Sequence, residues 1–291
     1  MHRLGSVVLG PQLGDHNSSY NYLHEAYGLF NTLPLSEVES QRLGGLCGID
    51  FMDTARLALS NYDRVFPLAR HVEMKCAALS DDVIYGRCLV LLGSVYCDAR
   101  RPDDALRSLD HARTMLKAVE NTYNLAEAYQ IISWVHYREG KFPAALDAAE
   151  DAWKLVELTD NPLLQAQISL ELGIILFNTN RDTKAWEHIE IALTKASYTG
   201  NRLEIAHALQ YMGYGYLCSG DYQNAYGAYA AAAEKYFGTV DASAAKQCYD
   251  NMARIKDKDE NPDMVVGFHI DETLFYPPVQ AFASDRPISA S

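Results

Sequence analysis

Basic residues are scarce in this chain. Its 25 Lys and Arg stand against 38 Asp and Glu, a formal charge of −13. Gripping a phosphate backbone needs clustered Lys and Arg, so the composition argues against a nucleic-acid partner. The basic spots that exist, Arg100 with Arg101 and Lys256 with Lys258, are small and neighboured by acids. Long apolar runs are missing too. No stretch approaches the roughly 18 apolar residues of a spanning helix, which argues against a membrane role. The opening MHRLGSVVLGPQLG holds only Val7 to Leu9 plus Leu4, too short for a secretory h-region. The six cysteines (Cys47, Cys76, Cys88, Cys97, Cys218 and Cys248) form no CxxC pair. Reduced, mostly buried thiols in a reducing compartment are expected, with a cytoplasmic or nuclear location and the cytoplasm preferred. The Asn17-Ser18-Ser19 sequon is then a chance match.

What is present is a strict period. Gly93, Ser133, Gly173 and Gly213 are spaced by forty, as are Ala105, Ala145, Ala185, Ala225 and Ala112, Ala152, Ala192, Ala232. Leu92, Ile132, Leu172 and Met212 precede the small residue each time. Self-similarity of this length signals a stacked array in which each unit buries its apolar face on the next. With Gly93 as position 8, repeats begin at 86, 126, 166 and 206, and a divergent earlier unit begins at about 46. Position 36 is then Asn121, Asn161, Asn201 and Asp241, with Asp81 one period before. Asn and Asp cap helices because their side chains accept from exposed backbone N–H groups. Asn161 is followed by Pro162, favoured at the first helical position.

First helices are therefore predicted at 82–99, 122–139, 162–179 and 202–219. Second helices follow polar turns, at about 62–79, 103–119, 143–159, 183–199 and 223–237. The small residue at position 8 admits the second helix closely, and the alanines at positions 20 and 27 form the matching face. Residues 1–45 form an N-terminal helical cap, 46–256 the array with a final capping helix, and 257–291 an irregular or disordered tail. Within the early part, helices are expected over Tyr20 to Leu33 and Ser36 to Ser60, but Gly44, Gly45 and Gly48 interrupt the second and leave its continuity open. The tail carries an aromatic patch, Phe268, Phe275 and Tyr276, able to dock elsewhere on the chain.

The run Leu92-Gly93-x-x-Tyr96 with Ala105 and Ala112 resembles a tetratricopeptide repeat, and it recurs at Met212-Gly213-x-x-Tyr216 with Gly220-Asp221-Tyr222, Ala225 and Ala232. Two units depart: His136 and Leu176 replace the tyrosine, and Ser133 replaces the glycine. At forty residues the repeat is similar to the long variant of kinesin light chains and of sensor arms of signalling ATPases. More narrowly, Met212 to Asp263 is similar to arrays at the C-terminal end of fungal NACHT/NB-ARC-type NTPases. The resemblance implies an all-α, right-handed α-solenoid of about five helical hairpins with helical caps. It also implies a scaffold or ligand-sensor role by protein–protein interaction. The motor is absent: Gly215-x4-Gly220 runs into Asp221-Tyr222 where a phosphate loop needs Lys and Ser or Thr.

If positions 7, 8 and 11 of each first helix face their own second helix, positions 2, 5, 6, 9, 12 and 13 point into a concave groove. This places Arg87, Asp98, Glu127, Gln130, Trp134, Tyr137 and Arg138 there, then Gln167, Glu171, Phe177, His207, Gln210, Tyr211 and Tyr214. Aromatic walls with interleaved amides suit a ligand. Trp153 and Trp186 are expected in inter-helix packing instead. A two-carboxylate clamp for peptide C-termini is not expected, since the groove lacks clustered Lys and Asn. No metal site is expected: His71, Glu73 and Cys76 fall on different helix faces and lack the downstream cysteines of a zinc deaminase. No cofactor is implied.

The residues favour a non-enzymatic binding module or sensor arm that takes a peptide or partner protein in this groove. The alternative is an enzyme acting on an apolar small molecule in the same groove, with Glu171, His207, Tyr211 and Glu127 as acid–base groups.

Overall fold

A computed structural model describes residues 16–32, 38–58, 62–157, 159–237 and 242–260. Among these, every regular element is a helix. Two compact units are present, one holding α1 to α7 and the other α8 to α12.

In the first unit the helices are α1 (His16–Thr32), α2 (Val38–Ala58), α3 (Tyr62–Ala77), α4 (Asp82–Asp98), α5 (Pro102–Ala118), α6 (Thr122–Arg138) and α7 (Phe142–Val156). The second unit holds α8 (Pro162–Asn178), α9 (Asp182–Thr199), α10 (Arg202–Cys218), α11 (Tyr222–Tyr236) and α12 (Ala242–Glu260). Each first helix packs on the second helix that follows it: α4 on α5, α6 on α7, α8 on α9 and α10 on α11. Successive first helices also touch, α2 with α4 and α4 with α6, and separately α8 with α10. This is the all-α solenoid class.

Sequence signals set the helix ends. The carboxylate or amide of Asp81, Asn121, Asn161 and Asn201 accepts from backbone N–H groups at the start of its helix. Asp241, the fifth member of that series, lies outside the described residues, as do the aromatic patch and the chain from 261 on. Arg100, Gly140, Asn180 and Gly220, again forty apart, all turn left-handed with φ between 56° and 75°. Directly after each, the backbone N–H of Arg101, Lys141, Arg181 or Asp221 reaches back to the carbonyl of Tyr96, His136, Leu176 or Tyr216 at 2.9 Å. One stop geometry therefore closes α4, α6, α8 and α10.

The small residue at position 8 does admit a close neighbour, and the neighbour is position 24. A Cβ on Gly93 would lie 2.5 Å from Leu109, one on Gly173 2.9 Å from Ile189, and one on Gly213 3.1 Å from the Tyr229 ring. Where position 8 enlarges to Ser133, position 24 shrinks to Ala149. The alanines at positions 20 and 27 are all buried. In α2 the glycines do not break the helix. They are contact points: a Cβ on Gly48 would meet the Tyr27 ring at 2.8 Å, and one on Gly45 would meet Leu79 at 2.9 Å. Close approach of α1 and α3 offsets the intrinsic helix cost of glycine.

Candidate functional site

In the first unit, α2, α4 and α6 place a linked set of charged side chains along their shared face. Arg87 donates to Asp50 at 3.0 Å. Arg56 bridges Asp53 at 2.9 Å and Asp98 at 2.7 Å, and both Arg56 and Asp98 are buried. Burial pushes the Asp98 carboxyl up even though Arg56 pulls it down. Arg138 donates to the Cys97 carbonyl at 3.1 Å and lies 3.7 Å from its Sγ. Burial still raises the Cys97 thiol to about 11, so it stays protonated.

Glu127 keeps part of its surface open, yet protein crowds it so closely that burial pushes its carboxyl up to about 7. Asp53 adds to that rise, and the Tyr123 hydrogen bond and Arg87 oppose it. Gln130 and Arg138 on the same helix are likewise only partly covered. Trp134 is different. Its ring is 2% exposed and stacks on Tyr137 at 5.2 Å, and Tyr137 in turn meets the edge of Phe142 at 5.6 Å.

In the second unit a polar chain crosses α8, α10, α11 and α12. Gln167 donates to Glu204 at 2.8 Å, and the other Glu204 oxygen lies 3.8 Å from His207 Nδ1. Burial alone would raise the Glu204 carboxyl. Interactions with His207 and Gln167 outweigh it and hold the group below its ordinary value. The Tyr236 hydroxyl donates to Gln210 at 2.6 Å, and Gln210 donates to Gln247 at 2.7 Å. Glu171, His207, Gln210 and Tyr211 are buried, whereas Gln167 and Tyr214 stay partly open. Phe177 meets Trp186 and Tyr214 edge-on at 5.5 and 6.4 Å.

The sequence-derived residues thus fall on two sets of first helices, one in each unit. Glu127 belongs to the first, and Glu171, His207 and Tyr211 to the second. Only some face solvent. Arg87 is exposed, and Glu127, Gln130, Arg138, Gln167 and Tyr214 are partly open, while Asp98, Trp134, Tyr137, Glu171, Phe177, His207, Gln210 and Tyr211 are packed. The expected order of the tryptophans is reversed: Trp134 is buried and Trp186 is half-buried. Sequence reasoning missed Asp50, Arg56 and Glu204. Asp50 was findable, since it occupies the slot of Gln130 and Gln210 in the divergent first repeat. Arg56 carried no such signal. Among the described residues, no group of three His, Cys, Asp or Glu side chains converges as metal ligands, and no helix is long and apolar enough to cross a membrane.

Residues 87–157 match the tetratricopeptide repeat family model. No curated protein matches the sequence. Among solved structures, BtubC from P. vanneervenii is similar at 14% identity, with 98% of this chain and 100% of that one covered and a TM-score of 0.57. A signal-transduction ATPase with a tetratricopeptide repeat sensor, from Pyrococcus horikoshii, is similar at 13% identity and a TM-score of 0.60. That match covers 86% of this chain and 44% of the ATPase. The Rap conjugation gene regulator of plasmid pLS20, solved with the Phr* peptide, is similar at 16% identity and a TM-score of 0.53, covering 85% and 70%. These likenesses are likenesses of fold. Residues 87–157 thus match the tetratricopeptide repeat model, and the chain's capped forty-residue hairpins share the fold of such arrays.

Proposed function

We propose that this chain is a non-enzymatic binding module, and that the shared faces of its first helices receive a peptide or a segment of a partner protein. Glu127 carries the reading: it is partly exposed on α6 beside Arg87 of α4, with Gln130 and Arg138, also partly exposed, following it along the helix. Amide and charged groups on such a face supply hydrogen bonds for a backbone. In the second unit Gln167 and Tyr214 offer the same mixture of amide and aromatic. The fold likeness to a Rap regulator solved with a peptide supports a peptide ligand, and the likeness to a sensor-bearing ATPase supports a role as a sensor arm.

The test is selection of binders from a displayed random-peptide library against the full chain. Gln130→Ala and Tyr214→Ala should each weaken the selected peptide about tenfold or more while the thermal midpoint holds. Unchanged affinity in both variants would place the site elsewhere. A small molecule retained in native mass spectrometry, with no peptide selected, would favour the enzyme alternative.

A further inference from the structure

One aromatic contact recurs in the forty-residue frame with its third member changed. In the first unit Phe66 and Tyr96, at positions 21 and 11 of consecutive repeats, lie with ring centroids 5.7 Å apart. The guanidinium of Arg101, at position 16, lies over both, 5.2 Å from the Phe66 centroid and 5.0 Å from that of Tyr96. Asp104 holds it there, accepting from Arg101 Nε at 2.6 Å. In the second unit Trp186 and Tyr216 occupy positions 21 and 11, with centroids 4.8 Å apart. Position 16 is now Asp221, and position 19, the place of Asp104, is Asn224. Among the described residues no Lys or Arg lies over either ring.

We propose that Trp186, Tyr216 and Asp221 form a site for a guanidinium, the arginine side chain of a partner. The chain's own Arg101 selects that occupant, since it shows what an aromatic pair at these positions carries. A guanidinium is drawn to the ring faces by their quadrupole, and its flat, weakly hydrated plane stacks on them. Tryptophan is the strongest acceptor of this kind. Trp186 is half-buried and Tyr216 partly open, so ring surface remains to be covered. The Trp186 ring is also held in place. A Cβ on Gly215 would lie 2.9 Å from it, and Phe177 meets it edge-on at 5.5 Å.

The charge beside the pair fits a cation from outside. In the units that begin at 86, 126, 166 and 206, position 16 is basic at Arg101, Lys141 and Arg181 and acidic at Asp221. The Asp221 carboxylate accepts from the Asn224 backbone N–H at 3.1 Å and from its side-chain amide at 2.7 Å, which leaves lone pairs on both oxygens for a further donor. Asp182 and Glu190 stand one turn before and one turn after Trp186, on the same side of α9. Lys184, two residues from Trp186, projects from the opposite side, and Arg181 holds position 16 of the unit before. The inference goes beyond the proposed peptide-binding face and does not rest on it.

The probe is acetyl-arginine amide, followed through the indole N–H resonances of the isotopically labelled full chain, with acetyl-citrulline amide as its neutral isostere. Titrated into the millimolar range, the arginine probe should shift the Trp186 resonance saturably and leave that of Trp134 unmoved. The citrulline probe should bind at least tenfold more weakly. Asp221→Arg rebuilds the arrangement of the first unit from within, so it should cut the affinity for the arginine probe at least tenfold. Folding should tolerate it, because α5 and α9 already start from Arg101 and Arg181 with no side-chain cap, and a thermal melt checks this. Tyr216→Leu should give the same loss with Asp221 in place. No saturable shift in wild type, equal binding of the two probes, or wild-type affinity in both variants overturns the site. Tighter probe binding after Arg286→Gln would assign the cation to the chain's own C-terminal segment, which overturns a partner as its source.

Discussion

At Glu127 burial and ionisation oppose one another, and the balance is measurable. Its carboxyl titrates near 7 in the folded chain against an ordinary value of 4.5. The folded state therefore holds the proton more tightly. Its contribution to stability is fully present below about 4.5 and is lost as pH rises through about 7. Urea melts across that window should show wild type losing stability relative to Glu127→Gln, which has nothing to ionise. Parallel curves for the two would mean that Glu127 is not crowded as described. The tryptophans give a second residue-scale test. Truncating a buried aromatic costs roughly 3–5 kcal/mol, so Trp134→Ala should be the more damaging change and Trp186→Ala the milder. Comparing their urea midpoints checks the order. The periodicity placed Trp134 on the inner curve as a ligand-facing residue with Trp186 the packed one, whereas the Trp134 ring is buried. Its burial depends on the ring of Tyr137 stacking over it.

At the scale of the helix, the contacts between position 8 and position 24 fix how closely a hairpin closes. Gly213→Leu drives a side chain into the Tyr229 ring, and Ala145→Leu enlarges a fully buried site. Overpacking of this kind costs typically 1–3 kcal/mol. Lys154→Ala on α7, where Lys154 pairs with Asp151 at 2.8 Å on an exposed surface, should leave the urea midpoint unchanged. Equal midpoints for all three variants would contradict the repeat frame. Helix positions, caps and turns were legible in the sequence because each rests on local chemistry: an Asn before a helix, a Gly or Asn in a left-handed turn, an alanine at a fixed slot. The divergent α2 was less so. Its glycines read as breakers in sequence, and only their facing partners, Tyr27 and Leu79, show why the helix runs through them.

For the whole molecule, the architecture followed from the period, whereas the candidate site followed only in part. Positions 2, 5 and 9 identified the shared faces, but whether a side chain there is open or packed depends on partners more than thirty residues away. Arg56 with Asp98, forty-two residues apart, is such a pair, and Gln167 with Glu204, thirty-seven apart, is another. The array's central claim is that its first helices receive the ligand and its second helices support them. Hydrogen-exchange mass spectrometry of the full chain, with and without a peptide selected from the library, tests it directly. The account predicts new protection in α4 and α6, or in α8 and α10, with α5, α7, α9 and α11 unchanged. Protection confined to those second helices would contradict it.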